Sequence, residues 1–260
     1  MSGIFLFEDQ TDFLGIFIAL NSIWKLIKNK GYNTAAMNRI IFDIETVGKD
    51  FEFLDKATQE YLLRYAGTED EKTEVKDRLS FYPQTAEIVT IGMLDPDTGK
   101  GFAFFQTGGD PLLPFEEDNV RYETGTEKEI IEKFWSVIKT CNQFITFNGR
   151  GFDCPFILIR SAVHKIKPTK DLMPNRYTGS HLDLFDQLTF YGASRRRFNL
   201  DMWCRTFGIR SPKEDGITGY EVKDLFKAGR HLDIARYCVG DLRATGELLT
   251  YWERYIRFTS

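Results

Sequence analysis

The sequence predicts an α/β protein in which a mixed sheet is flanked by helices. Runs rich in β-branched and apolar residues, bounded by turn residues, predict strands in the first half of the chain. A capped amphipathic segment near the middle and a long final segment with helical spacing predict helices. The order is three strands, a helix, a strand, a helix and then mostly helices, which is typical of α/β or α+β domains.

Composition is that of an ordinary globular protein, with 260 residues, 42% hydrophobic and 28% charged. The net charge of −4 gives no global nucleic-acid footprint, so binding of a polyanion needs local basic patches or bound metal. The four cysteines form no CxxC pair. This excludes a zinc signature and a dense disulfide framework, and it favours a reducing, cytoplasmic location.

Residues 1–36 are predicted to be an extension that the chemistry does not need, and residues 37–260 the catalytic domain. The apolar run Phe13–Ile27 is interrupted by polar residues and is shorter than the ~18 to 20 apolar residues of a spanning helix. Acidic residues precede it where a signal peptide has positive charge. An amphipathic helix that docks on the body, or a disordered segment, is the alternative, and no membrane association is expected.

The first strand of the predicted domain, "RIIFDIET" (Arg39 to Thr46), carries two carboxylates. Side chains two apart on a strand share a face, so Asp43 and Glu45 stand side by side, with Phe42 and Ile44 on the other face. Like charges this close raise each other's pKa. A divalent cation between them relieves the repulsion, and the pair therefore indicates a metal site.

The next elements complete a predicted antiparallel meander. "AEIVTIGMLD" (86–95) and "FAFFQT" (102–107) are strand-like runs joined by the turn residues "PDTGKG". "GTEKEIIEKFWSVIKT" follows as a helix, because Thr126 and Glu129 have capping-box spacing.

Two further carboxylates stand out by their settings. Asp153 follows the strand "NQFITFN" and the turn "GRG", whose glycines let the backbone approach a ligand, at the start of a helix. Asp241 lies one turn after Tyr237 on the final helical segment. Taken singly, a helix cap for Asp153 and a simple hydrogen bond for the Tyr237–Asp241 pair are the favoured interpretations. A separate short helix is expected to be capped by Asn199 and to end at Gly208.

The ordered set of motifs resembles the DEDD superfamily of 3′–5′ exonucleases, in its tyrosine-bearing branch. The matching stretches are "FDIET", "FNGRGFD" and "YCVGD", with the connecting segments "EIVTIGM", "HLDLFDQL", "FNLDMWCRTFGI" and "GITGYEV". From about Arg39 onward the chain is similar to the exonuclease domains of family B DNA polymerases and to stand-alone predicted exonucleases related to them. The resemblance implies a ribonuclease H-like fold with a mixed five-stranded sheet.

The resemblance also implies roles for individual residues. Asp43, Glu45, Asp153 and Asp241 match the metal-binding carboxylates, and Tyr237 matches the tyrosine that positions the attacking water. Two ions of Mg²⁺ or Mn²⁺ are expected, because these hard cations prefer carboxylate oxygens. Asp183 and Asp186 are interpreted as solvated or structural residues, with an indirect role beside the site left open for Asp183. His164 and His181 are interpreted as surface or hydrogen-bonded residues rather than metal ligands.

Substrate contacts are predicted around the same motifs. Phe152 either stacks on a base of the substrate or packs in the core. Asn148 either forms a hydrogen bond to the substrate or braces its turn. The run Arg195–Arg197 is either a solvated loop or a patch that contacts phosphates. The full set of predicted substrate contacts is Ile44, Thr46, Asn148, Phe152, Arg195, Arg196 and Arg197.

The function predicted from sequence is a metal-dependent 3′–5′ exonuclease that acts on single-stranded nucleic acid, with DNA favoured over RNA. One alternative is a non-catalytic nucleic-acid-binding module of the same fold, which the presence of all four carboxylates disfavours. The other is an exoribonuclease that trims RNA. A polymerase or repair partner is a further hypothesis, with residues 1–36 as its docking segment.

Overall fold

A mixed sheet of seven strands runs through the part of the chain that the computed structural model describes, residues 38–211 and 221–258. The strands lie in the order β4-β5-β3-β2-β1-β6-β7. Their bounds are β1 (Arg39–Gly48), β2 (Ala86–Leu94), β3 (Gly101–Phe105), β4 (Phe115–Glu117), β5 (Val120–Thr124), β6 (Gln143–Thr146) and β7 (His181–Asp183).

The pairing of the strands confirms the predicted meander and the mixed sheet. β1 pairs antiparallel with β2, and β2 pairs antiparallel with β3. On the other side of β1, β6 and β7 add in parallel. These five strands make up the sheet that the resemblance implied.

The sheet has two strands more than the five expected, because β4 and β5 extend it beyond β3. β5 pairs in parallel with β3, and β4 folds back antiparallel on β5. The hairpin turns at Asp118 and Asn119, whose φ angles of 49° and 65° are those of a two-residue turn with both residues left-handed. A three-residue strand rich in glutamate has no strand signal of its own.

Helices cover both faces of the sheet. Their bounds are α1 (Lys56–Leu63), α2 (Glu69–Asp77), α3 (Glu127–Ile138), α4 (Asp153–Val163), α5 (Leu184–Leu188), α6 (Leu200–Phe207), α7 (Val222–Lys227) and α8 (His231–Tyr255). On one face Ile41 packs in a cluster with Val239 and Leu242 of α8. On the other face the ring of Phe42 lies 5.2 Å from that of Phe134 in α3. The alternation along β1 therefore matches the predicted one.

The predicted helix ends are confirmed. Thr126 accepts a hydrogen bond from the N–H of Glu129, whose carboxylate accepts in turn from the N–H of Thr126. Asn199 accepts from the N–H of Met202, and α6 ends at Gly208 with φ of 70°. None of the helices in residues 38–211 and 221–258 has the length and apolar character needed to cross a membrane. The predictions for residues 1–36 and for most of the loop "GITGYEV" lie outside the described residues.

Gly92 sets how closely α8 approaches the sheet. A Cβ atom at this position would lie 2.7 Å from Leu242 Cδ1 and 2.8 Å from Cys238 Sγ. We expect Gly92→Ala to destabilise the protein by about 1 to 3 kcal/mol, because the buried side chains of Leu242 and Cys238, or α8 with them, must shift. Thermal unfolding measures this.

Gly246→Ala is the matched control for Gly92→Ala. Gly246 lies in α8, and a Cβ there would meet Ile41 Cδ1 at 3.4 Å, an ordinary contact. This variant is expected to gain about 0.5 to 1 kcal/mol from helix propensity. Equal melting temperatures for the two variants would contradict the role given to Gly92.

Candidate active site

Asp43 and Glu45 project from β1 toward the face that α8 covers. Asp43 pairs with Gly92 of β2, and the Sγ atom of Cys238 in α8 lies 3.7 Å from Asp43 Oδ2. Directly after Glu45 the register with β2 shifts, since Glu45 pairs with Thr90 and the next residue pairs with Ile88. Glu45 is buried and Asp43 is partly exposed, so the pair lies at the edge of the core.

Asp153 is held beside this pair by a bond across the sheet. It is the first residue of α4 and is 4% exposed. Its Oδ1 accepts a hydrogen bond from the backbone N–H of Ile44 at 3.1 Å, between the two carboxylates of β1. The residue before the helix, Phe152, makes no side-chain capping bond. Asp153 therefore joins the second motif to the first, a contact that a simple helix cap does not explain.

Tyr237 and Asp241 complete the group from α8. The two side chains are hydrogen-bonded to each other, and the charges of Asp241, Glu45 and Asp43 all act on the Tyr237 phenol. Burial and these charges raise the pKa of Tyr237 well above its ordinary value. The phenol is therefore protonated at neutral pH.

The four carboxylates perturb one another electrostatically. Burial, followed by the charges of Asp153, Asp241 and Glu45, raises the pKa of Asp43 well above its ordinary value. Burial, then Asp241 and Asp153, does the same to the pKa of Glu45. Burial raises the pKa of Asp153 to about 7, although the N–H groups that it accepts from oppose the shift. Residues far apart in sequence thus meet at one site.

The donor set fits divalent cations. Ligand atoms of Asp43, Glu45 and Cys238 lie within 4.8 Å of one another. Among the described residues, no lysine, arginine or histidine forms an ion pair with Asp43, Glu45 or Asp153. Apposed acidic groups without a basic partner are stabilised by a bound cation, and carboxylate oxygens suit Mg²⁺ and Mn²⁺. The position of Cys238 beside Asp43 was not predicted, because its burial resembles that of any small core residue.

Asp183 organises the turn that precedes Asp153. Its carboxylate accepts from the backbone N–H groups of Asn148 at 2.8 Å, Arg150 at 2.9 Å and Phe185 at 3.0 Å. It therefore caps α5 and braces the turn at once. The neighbouring Asp186 forms ion pairs with Arg150 and Arg176. Both aspartates have the structural roles that the sequence favoured.

Close contacts within the turn from Asn148 to Gly151 explain its two glycines. Asn148 has φ of 61°, and a Cβ on Gly151 would lie 2.7 Å from its Oδ1. A Cβ on Gly149 would lie 2.5 Å from Thr146 Cβ. The turn itself thus occupies the space that a side chain at either glycine would fill, and the approach of a ligand to this backbone stays a prediction.

Both histidines in this half of the domain have hydrogen-bonding roles. His181 Nε2 lies 2.8 Å from Thr146 Oγ1, and burial lowers its pKa to about 3. His164 Nε2 lies 2.6 Å from Glu127, which also pairs with buried Arg160. Neither is part of the carboxylate group, as the sequence predicted.

The predicted substrate contacts divide into two sets. Ile44 is 4% exposed, and the hydroxyl of Thr46 donates to the carbonyl of Ser80 at 2.7 Å, so both are engaged within the protein. Phe152 is partly exposed, with its ring 6.4 Å from that of Phe81.

The second set is the arginine run Arg195–Arg197, whose three side chains are all exposed. Arg197 donates to Asn148 Oδ1 at 3.0 Å, which places the end of the run beside the second motif. Contact of either set with substrate stays a prediction.

Comparison with known proteins identifies the family. Residues 113–259 match the model of a family described as a predicted 3′–5′ exonuclease related to the exonuclease domain of PolB. The chain belongs to this family. The match includes Asp153, Tyr237 and Asp241, whereas Asp43 and Glu45 precede it. The enzyme class predicted from sequence, a 3′–5′ exonuclease, is confirmed at the level of the family.

Relatives of this exonuclease-family chain extend the similarity to the first motif. DNA polymerase 1 of Pyrococcus abyssi is 24% identical over 265 residues, which cover 92% of this chain and 33% of the relative. A DNA polymerase of Pyrococcus glycovorans is also 24% identical, over 87% of this chain and 31% of its own. The chain spans about a third of the length of these relatives.

A solved structure confirms the fold. The family B DNA polymerase of the hyperthermophilic archaeon Pyrobaculum calidifontis superposes with a TM-score of 0.50 at 17% identity, over 83% of this chain and 24% of that protein. The mixed sheet with flanking helices is therefore the ribonuclease H-like fold of polymerase exonuclease domains. The assignment to the tyrosine branch stays a prediction.

Proposed function

We propose that the chain removes nucleotides one at a time from the 3′ end of single-stranded nucleic acid, with two divalent cations held by Asp43, Glu45, Asp153 and Asp241. The observation that carries the proposal is the bond from the Ile44 N–H to Asp153 between Asp43 and Glu45, which joins two motifs 109 residues apart. DNA is the favoured substrate because the relatives are DNA polymerases.

Each residue has a physical task in this proposal. Bound Mg²⁺ or Mn²⁺ supplies a water nucleophile at neutral pH and offsets negative charge on the attacking and leaving oxygens. The four carboxylates hold the ions, and among the described residues Asp43, Glu45 and Asp153 form no ion pair with a basic side chain. Asp183 keeps the second-motif turn in shape, and Asn148 and Arg197 offer an amide and a guanidinium beside the site.

Tyr237 orients the attacking water in this proposal and does not deprotonate it, because its raised pKa keeps the phenol protonated. Tyr237→Phe is expected to lower kcat about 10- to 100-fold, the effect of one lost hydrogen bond to a charged or reacting group. KM for the strand is expected to change little. Steady-state kinetics on single-stranded DNA measures both constants, and a kcat equal to that of wild type would exclude the role.

The proposed function is tested by a time course on single-stranded DNA and RNA labelled at the 3′ or the 5′ end, with Mg²⁺ or Mn²⁺ and with an EDTA control. We expect the 3′-labelled strand to release its label at once as a mononucleotide. We expect the 5′-labelled strand to shorten stepwise. The preferred sugar is read from the same gels. Binding of both polymers without cleavage of either would instead favour a non-catalytic binding module.

A further inference from the structure

Three large aromatic side chains lie exposed next to the arginine run. Tyr177 is 77% exposed, Phe190 62% and Tyr191 39%, and we call these three residues the aromatic platform. The rings of Tyr177 and Tyr191 are 5.1 Å apart, and the amide of Gln187 donates to the Tyr191 hydroxyl at 2.9 Å. Burial in the core does not explain three aromatic residues at this surface.

The backbone at Phe190 and Tyr191 is strained, because both residues have positive φ angles. Phe190 and Tyr191 have φ angles of 51° and 56°, in the left-handed region that large side chains rarely adopt. The segment is held there by bonds from the Tyr191 N–H to the Asp186 carbonyl at 2.7 Å and from the Ser194 N–H to the Thr189 carbonyl at 3.0 Å. Glycine or asparagine would suit these positions better, so folding alone does not select the aromatic residues.

The segment that carries two of the three platform residues, Phe190 and Tyr191, is basic although the protein is acidic overall. Residues 187–200 contain three arginines and no aspartate or glutamate. The guanidinium of Arg196 lies 5.0 Å from the Phe198 ring and that of Arg197 lies 4.8 Å from the Phe185 ring. Stacked guanidinium groups keep edges free to bind phosphate. Aromatic faces beside such groups match single-stranded nucleic acid, which offers bases and phosphates alternately.

A short segment of chain and one hydrogen bond connect the platform and the arginine run to the candidate active site. Asp183, which braces the Asn148 turn, is followed by the five residues of α5, about 7.5 Å of helix, and then by Thr189 and Phe190. Arg197 returns from the arginine run to bond Asn148.

We propose that the platform and the arginine run bind the single strand on the 5′ side of the terminal nucleotides, by stacking on bases and pairing with phosphates. This inference rests on the proposed function of the same chain.

The experiment compares wild type with Phe190→Gly on a series of fluorescent single strands from a trinucleotide upward, in EDTA for binding and in Mg²⁺ for hydrolysis. The wild type is expected to bind more tightly as strands lengthen. Phe190→Gly is expected to bind long strands about tenfold more weakly, the effect of one lost base stack, and the trinucleotide equally. Its melting temperature is expected not to fall, because glycine relieves the left-handed strain. Tyr65→Ala, which removes a tyrosine that is 82% exposed elsewhere, is the matched control.

Strands with abasic sites in their 5′ part show whether bases contact the platform. Such strands are expected to bind the wild type at least as weakly as intact strands bind Phe190→Gly. The variant, which has already lost one stack, is expected to lose less affinity than the wild type when the bases are removed. If the wild type hydrolyses the strands but Phe190→Gly binds them with the same dependence on length as the wild type, the proposed role of the platform would be overturned. If Phe190→Gly weakens the dependence of binding on strand length, but the wild type hydrolyses no strand, the platform is supported and only the exonuclease proposal is contradicted.

Discussion

Replacing Asp43 with asparagine is expected to slow 3′-terminal hydrolysis by about a thousandfold or more, equivalent to about 4 kcal/mol of transition-state stabilisation. Asp43 is the carboxylate on which Asp153, Asp241 and Glu45 all act, so its loss removes the negative charge that a cation needs at the centre of the site. The rate is measured on 5′-labelled single strands at saturating Mg²⁺ or Mn²⁺.

The same substitution is expected to raise the melting temperature of the metal-free protein by a few degrees. Asparagine keeps the shape of the side chain but removes one of several repelling charges, which destabilise the folded state when no cation is present. Lost activity together with unchanged or higher stability separates a functional role from misfolding.

Asp110→Asn provides the control for Asp43→Asn, because Asp110 is an exposed aspartate in the loop between β3 and β4. It is expected to leave both the rate and the response of the melting temperature to Mn²⁺ unchanged. If Asp43→Asn retained a tenth of the wild-type rate, or if Mn²⁺ still stabilised it as much as wild type, the assignment of Asp43 to the metal site would be wrong.

The sequence predicts those parts of the fold that local rules specify. The capping box of Thr126 and Glu129 and the Asn199 cap are confirmed because each depends on residues within one helical turn. The shared face of Asp43 and Glu45 follows from the two-residue period of a strand. The β4–β5 hairpin was missed because the short strand β4 joins the sheet only by pairing with β5, and β5 joins it by pairing with β3, which no local pattern records.

The position of Asp153 shows where sequence reasoning ends. An aspartate that begins a helix has the pattern of a cap, and only its bond to the Ile44 N–H, on a strand 109 residues earlier, gives it a different role. The link between Arg197 and Asn148 is likewise tertiary. The ordered motifs indicated which residues meet, whereas the contacts that hold them together required the three-dimensional structure.

The stability of the metal-free protein is expected to fall as the pH rises from 5 to 8. Burial raises the pKa of Asp153 from 3.8 to about 7 in the folded protein, so the folded state holds this proton where the unfolded state has released it. The stabilisation is fully present below the unfolded pKa and is lost as the pH rises through about 7. A shift of this size corresponds to about 4 kcal/mol. The pKa values of Asp43 and Glu45 are raised as well and act in the same direction.

Divalent cations are expected to reverse this trend, because they bind the ionised carboxylates. The rise in melting temperature caused by Mn²⁺ should therefore be larger at pH 8 than at pH 5, and EDTA should abolish it. Thermal unfolding across this range, with and without Mn²⁺, measures the difference for wild type and for Asp153→Asn. The variant lacks the titrating group, so its metal-free stability should depend less on pH. Identical pH profiles for the two proteins would show that Asp153 does not carry the buried proton, and the argument that a cation replaces it would fail.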